Sequence, residues 1–294
     1  MEELRKYVKE LFEKGEVGVV IGYAQVSAKR TKPIIITSPE DADKLVFNEY
    51  CLNNLAVYIT KARIKALRSV NEKFLKIAIT AKPCDVRSIT ALIQENQIHR
   101  DDIFIIGLNC HGVVENFGND FNGQNLASKC VTCDSDKPLY YDLLTGEVKD
   151  KPLADDSVLT RINEIENMPF EERMNFFKNE FDKCIKCYAC RAVCPLCYCQ
   201  RCITDKTIPR WIESSSHQRG NFAWNIIRAF HLSGRCTGCG ECERACPADI
   251  PLTLINRKMS MEVKKLFSYE SGKSIDTPTL LGSYNEKDSD DLFM

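Results

Sequence analysis

An α/β N-terminal domain with a mostly parallel sheet, followed by a mainly α-helical domain and an extended C-terminal tail, is the fold class the sequence predicts. Three observations carry it. Up to Leu108, short apolar runs rich in β-branched residues alternate with helical periodicity. From Pro169 onward, helical stripes lead into two clusters of cysteine. Beyond Met259 the periodicity fades, and the chain ends on the acidic run Asn285-Glu-Lys-Asp-Ser-Asp-Asp.

Taken in order, Leu4, Tyr7, Val8, Leu11 and Phe12 fall on one face of an opening helix, with Gly15 where it would stop. Val17 to Ala24, Phe74 to Thr80 and Ile103 to Leu108 read as strands. Between the last two, Val86, Ile89 and Ile93 recur at helical spacing, so the segment is strand, helix, strand. A crossover of that length implies parallel pairing. Gly112 to Pro152 is rich in Gly, Asn and Asp, which predicts loops with one hairpin around Tyr140 to Glu147 and a domain boundary. Residues 1–152 therefore form the first domain, 153–258 the second and 259–294 the tail. In the second, Pro169 opens a helix with Phe170, Met174, Phe177 and Phe181 on one face. Phe222, Ala223, Ile226, Ile227 and Phe230 form a later apolar stripe ending at Gly234.

Composition narrows the function classes. With 294 residues the chain is long enough for about two domains. Forty basic residues against forty-one acidic ones leave a net charge of -1, so no global field favours nucleic acid or an anionic membrane. The N-terminus is charged from Glu2, and no run approaches the ~20 apolar residues of a membrane span. A cytoplasmic location is expected. Sixteen cysteines in a reducing compartment point to metal binding rather than disulfides.

Two stretches carry the chemistry. Cys184-Ile-Lys-Cys187-Tyr-Ala-Cys190-Arg-Ala-Val-Cys194-Pro195 has the spacing C-x2-C-x2-C-x3-C-P, and Cys236-Thr-Gly-Cys239-Gly-Glu-Cys242-Glu-Arg-Ala-Cys246-Pro247 repeats it. Three closely spaced thiolates wrap one corner of an iron–sulfide cube, and the fourth turns away to serve the neighbouring cube. Cys184, Cys187, Cys190 and Cys246 are thus assigned to one 4Fe-4S cluster, and Cys236, Cys239, Cys242 and Cys194 to the other. A pair of zinc knuckles is the competing reading, but zinc has no use for eight thiolates at this repeated spacing. The 41 residues between Cys194 and Cys236 exceed what a small β-rich ferredoxin holds, and their pattern is helical. Residues 180–255 resemble the α-helical dicluster ferredoxin modules of succinate dehydrogenase and heterodisulfide reductase iron–sulfur subunits.

A second set lies in the first domain. Cys84 and Cys110 each follow a predicted parallel strand, at the carboxyl edge where open α/β sheets place ligands. Cys130 and Cys133 add a C-x2-C pair, so four thiolates can converge on a third 4Fe-4S cluster. Structural zinc on the same ligands, or unrelated buried thiols, are the alternatives. Ala81-Lys-Pro-Cys84-Asp-Val-Arg and Ile106-Gly-Leu-Asn-Cys110-His-Gly-Val resemble the paired cysteine motifs of the coenzyme F-420 hydrogenase/dehydrogenase beta-subunit family, which includes formate dehydrogenase beta subunits. The match spans about residues 15–150. The resemblance implies iron–sulfur clusters, a flavin (FAD) through which a deazaflavin coenzyme is reduced or oxidised, and work as a subunit of a larger complex. Two departures set flavin apart from the clusters. About 150 residues precede the ferredoxin module, fewer than a complete flavin domain of the family, and no G-x-G-x-x-G follows a predicted strand.

The function expected is that of a non-catalytic electron-transfer subunit, relaying electrons between a formate dehydrogenase-like or hydrogenase-like catalytic subunit and a heterodisulfide reductase-like flavoprotein. Pro278 to Tyr284 would order on a partner's surface. The alternative is a flavin-dependent oxidoreductase acting on coenzyme F-420 or another hydride carrier. No catalytic residue is assigned. Cys51, Cys197, Cys199 and Cys202 are left over; they could complete a further site, but packing around the clusters is preferred. His111, His217 and His231 are read as ordinary polar residues, and Trp211 and Trp224 as packing. Lys186, Arg191, Arg201 and Arg244 are candidates to offset anionic cluster charge, or else solvated surface.

Overall fold

The computed structural model describes residues 1–60, 76–114, 125–133, 135, 137–146, 156–283 and 286. The chain divides into two compact units, Met1–Ala154 with Gly272–Ile275, and Asp155–Ser271 with Asp276–Met294.

The first unit opens with helix α1 (Glu2–Glu13), which buries Leu4, Val8 and Leu11. It ends where the periodicity predicts. Gly15, at φ 67°, lets its own N–H reach Phe12 and that of Glu16 reach Leu11, closing the helix in a Schellman arrangement. Strands β1 (Val17–Ser27) and β2 (Arg30–Ile36) pair antiparallel, and β3 (Leu45–Val46) also pairs with β1. Strand β4 (Lys76–Ala81), helix α2 (Pro83–Gln94) and strand β5 (Ile103–Leu108) form the expected crossover, with Ile77 opposite Ile103 in parallel register. Phe74, the expected start of that first strand, lies outside the described residues. A one-turn helix, α3 (Ser128–Val131), precedes the last strand, β6 (Leu143–Thr145), which pairs parallel with β5. The six-stranded order is β2-β1-β4-β5-β6, with β3 beside β1, so the sheet is mixed but mostly parallel. Val17, Val20, Ala78 and Ile106 pack with α1 in its core.

Two expectations need correction here. No hairpin spans Tyr140 to Thr145. Leu143 to Thr145 joins β5 instead, because the buried edge of a parallel sheet offers unpaired backbone groups that a local hairpin would leave unsatisfied; Glu147 lies outside the described residues. The second is β2, which the apolar runs do not reveal. Its Pro33 disguises it, yet Pro is tolerated because β2 is an edge strand.

The second unit is helical: α4 (Ser157–Glu166), α5 (Phe170–Asp182), α7 (Gln218–His231) and α9 (Leu252–Phe267), with one-turn helices α6 (Ala189–Ala192) and α8 (Glu241–Arg244) inside the two cysteine loops. Phe181, Trp224, Ile250 and Leu252 form the core beside Cys190, and the Phe181 ring sits 5.6 Å from that of Phe177 and 5.9 Å from that of Phe222.

Helix α9 corrects the expected start of the tail. It runs through Phe267, past Met259, because Leu252, Leu254, Asn256 and Val263 are buried; polar residues between them mask the stripe. Among the described residues beyond it, the only helical turn is the 3-10 turn Leu280–Gly282. The acidic run from Asn285 is outside the described residues except for Glu286. Helix α7 corrects a second expectation. It buries Asn221, Trp224, Asn225 and Arg228, while Phe230 of the expected apolar stripe is 64% exposed. Trp224 packs as expected. Trp211 does not, being 65% exposed.

Phe181 is 1% exposed and Phe170, on the same helix, 67%. Phe181→Ala is expected to cost about 3–5 kcal/mol of unfolding free energy. Phe170→Ala should change it by less than about 0.5 kcal/mol. Denaturant unfolding of the anaerobically prepared full chain measures both.

Candidate metal centres

The two cysteine loops share one backbone trace. Lys186 and Tyr188 both lie at φ 57°, and their counterparts in the second repeat, Gly238 and Gly240, lie at 72° and 69°. Left-handed residues between the ligands turn successive N–H groups toward one concavity, the nest that iron–sulfur sites use to offset negative charge. Glycine takes this conformation freely, whereas each non-glycine residue costs about 1–3 kcal/mol unless its surroundings fix it. Lys186 is fixed by its Nζ, which donates to the carbonyls of Gly220 at 2.7 Å and Glu213 at 3.0 Å. Tyr188 meets Trp224 edge-on at 5.0 Å and lies under the Arg191 guanidinium at 5.2 Å.

Cys184, Cys187, Cys190 and Cys246 line a single small cavity, with Trp224 and Pro247 among its walls. Cys184 is held from behind, since Asn221 Nδ2 and Ser216 Oγ donate to its carbonyl at 2.7 and 2.6 Å. The other ligand candidates also gather. Cys194 is within electrostatic reach of Cys239 and Cys242, and Cys236 of Cys242. Burial pushes the thiols of Cys190 and Cys239 up and that of Cys242 up to about 12. Thiolates therefore need compensating positive charge at these positions, which iron supplies. An all-thiolate donor set suits zinc or iron–sulfur groups and disfavours magnesium or calcium. Among the described residues, no three His, Cys, Asp or Glu side chains lie close enough to hold one metal ion, and a cube of four irons spaces its thiolates more widely than a single ion does.

Polar partners surround these sulfurs. Asn256 Nδ2 donates to Cys242 Sγ at 3.5 Å, and Asn256 Oδ1 is buried without a partner. The Cys197 thiol is hydrogen-bonded to Cys194, which draws the Cys194 pKa down while that of Cys197 rises. Cys197 thus packs against a candidate ligand, and Cys199 is exposed. Cys202 is half-buried, and its backbone N–H donates to Asp205 at 3.1 Å.

The basic residues sort differently from the sequence-based expectation. Arg244 is engaged by Glu241 at 2.8 Å, Arg191 by Asp205 at 2.9 Å, Lys186 by two carbonyls, and Arg201 is exposed. The cation beside the thiols is Arg228, 3% exposed on α7. Burial works against its charge, but Cys242, Cys194, Cys197 and Cys190 outweigh that and hold its pKa above the ordinary arginine value. The spacing of Asn221, Asn225 and Arg228 is its only signal in the sequence, a polar stripe at i, i+4 and i+7.

In the first unit, Cys84 is the second residue of α2, shortly after β4, Cys110 follows β5, and Cys130 and Cys133 sit on and just after α3. Cys110 lies within electrostatic reach of Cys84, Cys130 and Cys133. Burial pushes Cys84 well up, Cys110 up to about 11 and Cys130 up, with nearby Lys82 opposing all three. Lys82 itself is buried. Its Nζ pairs with Asp85 at 3.2 Å, donates to the Asn53 carbonyl at 2.8 Å and bonds the Tyr23 hydroxyl. Asp85 also accepts from the backbone N–H of Lys82 at 2.8 Å and of Leu55 at 3.1 Å. Cys51 is fully buried against Asn48.

Removing one member of a buried pair leaves the other charged and unpaired. Asp85→Ala is expected to cost about 3–5 kcal/mol, whereas Asp43→Ala, which breaks the exposed pair with Lys9, should cost less than about 1 kcal/mol. Denaturant midpoints of the two variants separate these outcomes.

Comparison with known proteins bears on both sites. Residues 180–250 match the family described as the 4Fe-4S dicluster domain. The beta subunit of the F420-dependent formate dehydrogenase of Methanocaldococcus jannaschii is 27% identical over 70% of this chain and 76% of its own length. The beta subunit of the F420-dependent formate dehydrogenase 1 of Methanococcus maripaludis is 24% identical over 93% of this chain and 91% of its own. A subunit of the F(420)H(2) dehydrogenase of Methanosarcina mazei is 29% identical over 38% of this chain and 29% of its own. Among the described residues, no helix is long and apolar enough to cross a membrane. The chain therefore carries a 4Fe-4S dicluster domain over residues 180–250 and is similar, over most of its length, to beta subunits of F420-dependent formate dehydrogenases.

Proposed function

We propose that this chain relays single electrons between a formate dehydrogenase-like or hydrogenase-like catalytic subunit and a heterodisulfide reductase-like flavoprotein. The observation that carries the reading is the cavity in which Cys184, Cys187 and Cys190 of one repeat meet Cys246 of the other. That is the crossed ligand set of two neighbouring cubes, with Cys236, Cys239, Cys242 and Cys194 serving the second. Bound there, the cubes supply one-electron redox chemistry. The residues around them do the rest: Trp224 and Pro247 exclude water, Asn256 offers an N–H to a ligand sulfur, and the loop backbones aim their N–H groups inward. Cys187 reaches the surface beside Ile185, which is 61% exposed, so an electron has a short path out of the protein.

Cys84, Cys110, Cys130 and Cys133 extend the relay as ligands of a third 4Fe-4S cluster, with structural zinc as the competing occupant. Support for this comes from their convergence at the carboxyl edge of β4 and β5. A second reading, a flavin-dependent oxidoreductase acting on coenzyme F-420, is favoured by the F420 dependence that the relatives' names state.

Anaerobic purification of the native assembly, with subunits identified and iron, sulfide, zinc and flavin counted, separates the readings. About twelve irons per chain are expected for three cubes and about eight for two. Absence of iron and labile sulfide sinks the relay, and flavin at one per chain supports the enzyme. Serine variants then test the crossing. Cys246→Ser and Cys187→Ser are expected to disturb the same paramagnetic resonance signal, and Cys194→Ser and Cys239→Ser the other. If Cys246→Ser instead groups with Cys239→Ser, the crossed assignment is wrong.

A further inference from the structure

Arg228 stands apart from every other cation of the second unit described above. It is 3% exposed in the last turn of α7, and one of its guanidinium nitrogens, Nη2, donates to the carbonyl of Cys190 at 3.1 Å. Its Nε–H is buried with no hydrogen-bond partner among the described residues. A buried donor left unmade costs about 1–3 kcal/mol, more when it is charged, so such a group implies an acceptor. Of the groups that act on it electrostatically, Cys190 belongs to one proposed ligand set, Cys194 and Cys242 to the other, and Cys197 to neither. The groups that act on it most strongly are these cysteines and not carboxylates.

We infer that Arg228 is an electrostatic tuning residue set between the two cubes, whose fixed positive charge and free Nε–H raise the reduction potential of both. The inference rests on the dicluster reading. Taking up one electron adds one negative charge to a cube and its four thiolates, with no bond made or broken. A buried guanidinium favours that reduced state, and the low surrounding dielectric strengthens its field. Placed between the cubes, it also lowers the mutual repulsion of two added electrons, so both cubes can hold charge at once.

The test uses the full chain, reduced stepwise with dithionite and followed by paramagnetic resonance, alongside iron and sulfide counts. Arg228→Gln is expected to retain both cubes while each reduction equilibrium falls at least tenfold, about 59 mV for a one-electron couple. The cube held by Cys236, Cys239, Cys242 and Cys194 should shift more, since Cys242 and Cys194 feel Arg228 most. Arg228→Lys keeps the charge and should keep both potentials within that tenfold. Unchanged potentials in a loaded Arg228→Gln protein overturn the inference, as does an equal shift in Arg228→Lys. Should Arg228→Gln fail to load, Arg228→Lys decides: loading with native potentials supports tuning, and loss of iron in both variants assigns Arg228 to packing and overturns it. Lack of cubes in the unmodified chain would instead defeat the dicluster reading itself.

Discussion

Everything in the second unit follows from the difficulty of keeping sulfur anions away from water. A buried thiol resists ionisation, and burial pushes Cys190, Cys239 and Cys242 in that direction. A protein that must present such thiolates to iron has to exclude solvent and replace its dipoles at the same time. Aromatic walls meet the first need: Phe181, Trp224 and the rings around them make the site dry. The second is met by groups that a folding argument alone would call misplaced: the polar stripe of α7, the amide of Asn256, and four left-handed residues in the loops.

The two loops solve this problem with the same backbone and different side chains. Gly238 and Gly240 adopt the left-handed conformation without help, whereas Lys186 and Tyr188 are held in it by hydrogen bonds and ring contacts. The first loop is thereby anchored to α7 and to the segment around Glu213. Strain in one repeat is compensated by tertiary contact, and in the other it never arises.

What is legible in the sequence follows the same physics. Cluster ligands stand out because the cube imposes a covalent spacing that no background pattern imitates. The crossover from β4 through α2 to β5 stands out because both of its periodicities are clean. Arg228 and Asn256 do not, because they are buried polar residues, and periodicity weighs only apolar ones. In α7 periodicity selects Phe222, Ile226 and Phe230; the first two do pack against the core, but Phe230 is exposed and Asn221, Asn225 and Arg228 are the residues buried outright. Hydrophobic patterning fails where the core holds charge. Strands β2 and β6 escape it for other reasons, a proline in one and three residues of length in the other.

The first unit arranges its thiols on a related plan with one difference. Lys82 lies within reach of Cys84, Cys110 and Cys130 as Arg228 does of Cys190, Cys194 and Cys242. Lys82, however, is paired with Asp85 at 3.2 Å, so it acts on the sulfurs as one end of a dipole, and its field falls off faster than that of a lone charge. The groups that act most strongly on Arg228 are cysteines, with no carboxylate paired to it among the described residues. An electron placed near Arg228 is therefore stabilised more than one near Lys82.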